Sequence, residues 1–203
     1  MSKNISSKDL IIIVDEATKA LDAAVERITF CFAEVPLNCE SEKALKEISD
    51  FKSHWTQENP NLKFQFANFN KSDDIDDILQ IITELRPTIK LFVFYDISSK
   101  HDKLKYLKQA IEIASNNNYR TEQPSWVIED AEGYKSAINC INLTQDTSLT
   151  IIPDSFCSLF ARVIDDDAND KIATAYAKIK PLIRLQYFST NKNVLPLSKR
   201  KVI

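Results

Sequence analysis

A three-layer αβα sandwich around a five-stranded, mainly parallel sheet is the fold class this sequence predicts. Three observations carry that expectation. Apolar runs of strand length alternate with stretches whose apolar residues recur at helical spacing, along most of the 203 residues. The first run, residues 10–14 (LIIIV), is apolar without a break, as a strand covered on both faces would be. Several of the predicted strands end in acidic residues, and in an open parallel sheet functional groups gather at the carboxyl ends of strands.

The elements follow in order. Strand 10–14 stops at Asp15 and Glu16, and a helix is predicted next, with Ala20, Leu21, Ala24, Val25, Ile28 and Phe32 on one stripe. Pro36 interrupts it. Residues 41–55 form a second amphipathic helix through Leu45, Ile48, Phe51 and Trp55, and Asn59, Pro60 and Asn61 make a turn. Residues 62–69 alternate, with Leu62, Phe64 and Phe66 on one side, which predicts a strand. Ser72 or Asp73 is expected to cap a helix whose stripe is Ile75, Ile78, Leu79, Ile82 and Leu85. Its acids Asp73, Asp74, Asp76 and Asp77 suit the positive N-terminal end, and Pro87 stops it.

Residues 89–95 are the next strand, ending at Asp96. A helix carries Leu104, Leu107, Ile111 and Ala114 as far as Asn116. A short strand, 125–128, ends in Glu129 and Asp130. A short helix at 133–140 precedes a strand at 148–152, and Pro153 and Asp154 open a helix bearing Phe156, Leu159, Phe160 and Val163. After the acidic break 165–170, a last helix at 171–188 carries Ile172, Tyr176, Ile179 and Ile183, bent at Pro181. The expected organisation is a main α/β domain at 1–164 with an inserted segment at about 36–60, a C-terminal helix at 165–190 and a basic tail at 191–203.

Composition narrows the function classes. The chain has one glycine, Gly133. Phosphate cradles and dinucleotide fingerprints need glycine where backbone amides approach a phosphate, so these classes are excluded. A net charge of −3 argues against a general nucleic-acid binder. Cys31, Cys39, Cys140 and Cys157 form no C-x-x-C pair and only His54 and His101 accompany them, so reduced thiols are expected rather than a metal site. Both histidines read as surface residues, and Trp55 and Trp126 as core or interface. No apolar run reaches the roughly 18 residues of a membrane span, and residues 1–9 lack the apolar centre of a signal peptide. A cytoplasmic location without membrane contact is the expectation.

The segments LIIIVDEA, DDILQIITELRPTIKLFVFYDIS and SLTIIPDSFCSLFARVI resemble the response-regulator receiver family, over roughly residues 9–164. They are similar to its first strand with an acidic pair, its third helix and strand up to the phosphoacceptor aspartate, and its last strand, proline joint and final helix. The resemblance implies a flavodoxin-like order. It implies Asp96 as the phosphoacceptor, Asp15 and Glu16 as carboxylates for Mg²⁺, and Ser98 as a carbonyl ligand to the same ion. Asp15 and Asp96 would then lie side by side.

The departures matter as much. The family's phosphate-binding lysine falls at Ile152, its hydroxyl residue at Glu129 and its switch aromatic at Leu149. Without a cation at 152 a phosphoryl group loses a charge-assisted partner, and a carboxylate at 129 would repel it. The implied function is a non-enzymatic pseudo-receiver with no required cofactor, a signalling module that works through protein contacts. The 41–55 and 171–188 helices are the candidate faces for a partner or a homodimer. The alternatives are a working phosphoacceptor that uses Asp96 with Mg²⁺, and a transcription-linked regulator acting through the basic tail. The end of that tail, LPLSKRKVI, is similar to the opening of a helix-turn-helix output domain.

Overall fold

The computed structural model describes residues 10–22, 25–97, 102–116, 125–128, 143–144, 148–190 and 193–194. The chain opens with a long hairpin, β1 (Leu10–Asp22) and β2 (Val25–Pro36), where a strand and a helix were expected. The strands pair antiparallel, with Ile13 opposite Ala33, Asp15 opposite Cys31 and Lys19 opposite Arg27. The residues explain the departure. Ile28, Phe30 and Phe32 bury one face of β2 while Cys31, Ala33 and Val35 bury the other. β-Branched and aromatic residues favour this pleated surface. Because both faces are buried, the apolar residues show no period of two, and a helical spacing can be picked from them.

α1 (Cys39–Glu58) follows, with the predicted stripe facing inward. Asn38 caps it: its Oδ1 accepts from the N–H groups of Glu40 and Ser41 at 3.0 and 2.9 Å, and Ser41 Oγ accepts from the Asn38 N–H at 2.8 Å. The predicted strand at 62–69 is absent. In its place a loop with a single 3₁₀ turn, Phe66–Asn68, folds Phe64, Phe66 and Phe69 onto α1. Trp55 meets Phe69 edge-on with ring centroids 5.2 Å apart. The alternation there reflects an aromatic cluster, not a pleat.

α2 (Ser72–Leu85) buries all five predicted stripe residues. Ser72 is already helical, and the cap position falls to Lys71, whose side chain makes no capping bond. Arg86 ends the helix at φ 50° and Pro87 follows. β3 (Thr88–Ile97) and α3 (Asp102–Asn116) come next, then the short strands β4 (Ser125–Ile128) and β5 (Leu143–Thr144). The helix expected at 133–140 lies outside the described residues.

Residues 148–150 turn directly into α4 (Ile151–Ile164), so Ile152 is a helical residue and not the end of a strand. Ile151, Ile152, Phe156, Leu159 and Phe160 form one buried set, which is why the two isoleucines join the helix. Pro153 is tolerated in its first turn, where no intrahelical N–H is needed. The segment expected as one C-terminal helix is three elements: α5 (Asp170–Ile179), a 3₁₀ turn (Lys180–Leu182) holding Pro181, and strand β6 (Ile183–Thr190). A two-residue strand, β7 (Asn193–Val194), folds back on β6.

The result is one sheet in the order β5-β4-β1-β2-β3-β6-β7. Five strands have four residues or more, and a two-residue strand stands at each edge. The sheet is mixed rather than mainly parallel. The pairs β1 with β2, β2 with β3 and β6 with β7 are antiparallel, while β1 with β4, β3 with β6 and β4 with β5 are parallel. Helices α1, α2, α4 and α5 cover one face and α3 covers the other, which makes three layers. On the α3 face, Phe32 packs against Phe92 and meets Trp126 edge-on, and Phe94 packs on Tyr106, whose ring centroid is 4.7 Å away. Full burial of each such ring contributes about 2 kcal/mol. Trp55 and Trp126 are therefore core residues. Ile172, Tyr176 and Ile179 are buried too, so the stripe of the last helix covers the core and is not left open.

Candidate functional site

The sequence points to a carboxylate site at the strand ends, and the structure spreads those residues apart. Asp15 and Glu16 are consecutive residues of β1, so they project to opposite faces of the sheet. Asp15 is half-buried on the face covered by α4, and its carbonyl accepts a long bond from Cys157 Sγ at 3.9 Å. Glu16 lies on the α3 face, where its Oε1 is 2.5 Å from Lys103 Nζ.

Asp96 is the penultimate residue of β3, and its side chain lies outside the described residues. β2 runs between β1 and β3, so Asp15 and Asp96 are not on adjacent strands. Register separates them further. Asp15 faces Cys31, and Cys31 faces Leu91. A bulge puts Asp96 between the levels of Thr18 and Ala20, so it is displaced by between three and five residues, about 15 Å along the strands, and by two strand spacings, about 10 Å, across them. Roughly 20 Å between the two backbones is too far for one ion to bridge.

The other predicted positions are scattered as well. Leu149 sits in the turn before α4 and packs against the core. Ile152 is fully buried within α4. Ser98 and Glu129 lie outside the described residues. Among the described residues no three His, Cys, Asp or Glu side chains are grouped as metal ligands.

A different cluster is well built, and sequence reasoning missed it. At the far end of the hairpin Arg27 is only 3% exposed, although it is a strand residue in a charged stretch. Its Nη2 donates to Asp165 Oδ2 at 2.9 Å, and its Nη1 makes a second, short bond to Oδ1. Lys19, opposite Arg27 in the hairpin, donates to the same Oδ2 at 2.8 Å. Asp165 stands at the C-terminal end of α4, where the helix dipole disfavours a negative charge. The hydrogen bond from Arg27, joined by that from Lys19, overcomes partial burial and holds its carboxyl below the ordinary value of 3.8. The sequence carries little signal for this role, since Arg27 follows Glu26 and reads as one of a pair of surface charges.

The Arg27 cluster borders a cavity of about 270 Å³ between the hairpin and the end of α4, onto which Ser158, Arg162 and Asp167 also open. Nearby, Cys31 of β2 and Cys157 of α4 are both fully buried. Hydrogen bonding with Cys31, followed by burial, pushes the Cys157 thiol well above the usual range, so it is a poor nucleophile at neutral pH. On the α3 face Lys90 and Glu34 form a second buried ion pair at 2.5 Å.

No protein-family model matches this sequence, and no curated protein sequence matches it. No helix among the described residues is long and apolar enough to cross a membrane.

Proposed function

We propose that this chain is a non-enzymatic regulatory module of pseudo-receiver type that works through protein contacts and is not switched by phosphorylation of Asp96. The observation that carries the reading is the separation of the acidic residues. Asp15 and Glu16 point to opposite faces, and Asp96 stands roughly 20 Å from Asp15 by strand geometry. A phosphoacceptor needs its carboxylate and its Mg²⁺ ligands around one ion. The neutralisation of Glu16 by Lys103 and the apolar burial of Ile152 support the same reading.

In this reading a flavodoxin-like plan survives in the parallel pairing of β1 with β4 and in the strand β3 that leads to Asp96. The hairpin of β1 and β2 stands where that plan has a helical crossover. The apolar stripes of 41–55 and of α5 are spent on the core, so protein contacts would use their polar outer faces.

The test is incubation with acetyl phosphate and Mg²⁺ followed by intact mass. The unmodified mass is expected. A stoichiometric phosphoryl adduct that disappears in Asp96→Asn overturns the reading.

A further inference from the structure

The cavity beside the Arg27 cluster has an uneven charge pattern. Lys19 and Arg27 both spend their hydrogen bonds on Asp165. Arg162 and Asp167 open onto the same cavity, yet neither makes an ion pair or a side-chain hydrogen bond among the described residues. They do not pair with each other, although the backbone brings them together. The N–H of Asp167 donates to the Arg162 carbonyl at 2.9 Å, and that of Asp166 to the Val163 carbonyl at 3.4 Å. This is the double bond pattern that closes a helix through a left-handed residue, a position glycine usually fills. Here Asp166 takes it at φ 57°. The turn therefore sets one cation and one anion on the rim of a single cavity and leaves both charges unspent.

The cavity has room because three of its lining residues are small: the half-buried Ala17 on β1 and Ala161 on α4, and the exposed Ala67 in the aromatic loop. Their methyl groups give it an apolar part beside the charged side chains. A volume of about 270 Å³ admits a molecule of a few heavy atoms and leaves no room for a nucleotide. Two cations shared by one carboxylate leave a positive surplus on the hairpin side.

We propose that this cavity binds a small neutral α-amino acid, its carboxylate on Arg162, its ammonium on Asp167 and its short side chain against Ala17 and Ala161. A zwitterion satisfies both unspent charges, whereas a simple anion would leave Asp167 facing it.

The test is calorimetric titration of the full chain with L-alanine, beside N-acetyl-L-alanine and ethylamine, each of which lacks one of the two charges. Saturable binding of L-alanine is expected, with both controls weaker by about tenfold or more, the scale of one charge-assisted hydrogen bond. Arg162→Gln and Asp167→Asn are exposed substitutions whose folding is checked by circular dichroism. Each is expected to weaken L-alanine by a similar factor. No binding of L-alanine at millimolar concentration overturns the proposal, as does N-acetyl-L-alanine binding equally well, or a response to Arg162→Gln without one to Asp167→Asn.

Discussion

Arg27 ties β2 to the C-terminal end of α4. Its guanidinium is buried and donates twice to Asp165. Removing Arg27 takes away two of the three hydrogen bonds to Asp165 and leaves that carboxylate only the exposed Lys19. Arg27→Met should therefore cost about 3 kcal/mol in urea unfolding. Lys19 reaches the same carboxylate but is 48% exposed, so Lys19→Ala should cost less than about 1 kcal/mol. Near-equal losses would contradict this division. The pH dependence has a definite sign. Asp165 has a depressed folded-state pKa, so its contribution is fully present above the ordinary value of 3.8 and is lost as pH falls through the lower folded value. Arg27→Met should flatten the stability profile in that acid range, as measured by thermal unfolding against pH.

At the scale of elements, legibility in the sequence followed solvent exposure. α1, α2 and α3 each have one wet face, so their stripes could be read directly, down to Ile75, Ile78, Leu79, Ile82 and Leu85. β2 is buried on both faces, and no wet residue interrupts its apolar run to reveal the pleat. β6 does alternate, with Arg184 and Gln186 between Ile183, Leu185 and Tyr187, but Ile172, Tyr176, Ile179 and Ile183 also fit one helical stripe that runs into it. Scarcity of glycine shows at the helix ends. Arg86 and Asp166 occupy left-handed positions at φ 50° and 57°. Aspartate tolerates that conformation better than arginine. Arg86→Gly should therefore raise stability by about 1 kcal/mol, and Asp166→Gly by less. Melting temperatures of the two variants, measured side by side, check the order.

At the scale of the whole molecule, the segment expected as an appendage is part of the core. α5 buries Ile172, Tyr176 and Ile179, and β6 pairs along β3 within the single sheet. Deleting 165–203 should therefore abolish cooperative unfolding instead of leaving a trimmed, folded domain. A truncated chain that melts in one sharp transition by circular dichroism would contradict that. The candidate site was legible as a set of residue types but not as a place. Strand-end acids can be counted in a sequence, but whether they converge depends on strand order and register. The unforeseen antiparallel strand β2 changed both. It inserted a strand between Asp15 and Asp96 and moved them out of level.

That separation is tested most directly by calorimetric titration with Mg²⁺ of the unaltered chain, Asp15→Asn and Asp96→Asn. With the two carboxylates roughly 20 Å apart, no saturable site should depend on both residues. A single Mg²⁺ site that is lost in each variant separately would place Asp15 and Asp96 around one ion and contradict the arrangement described above.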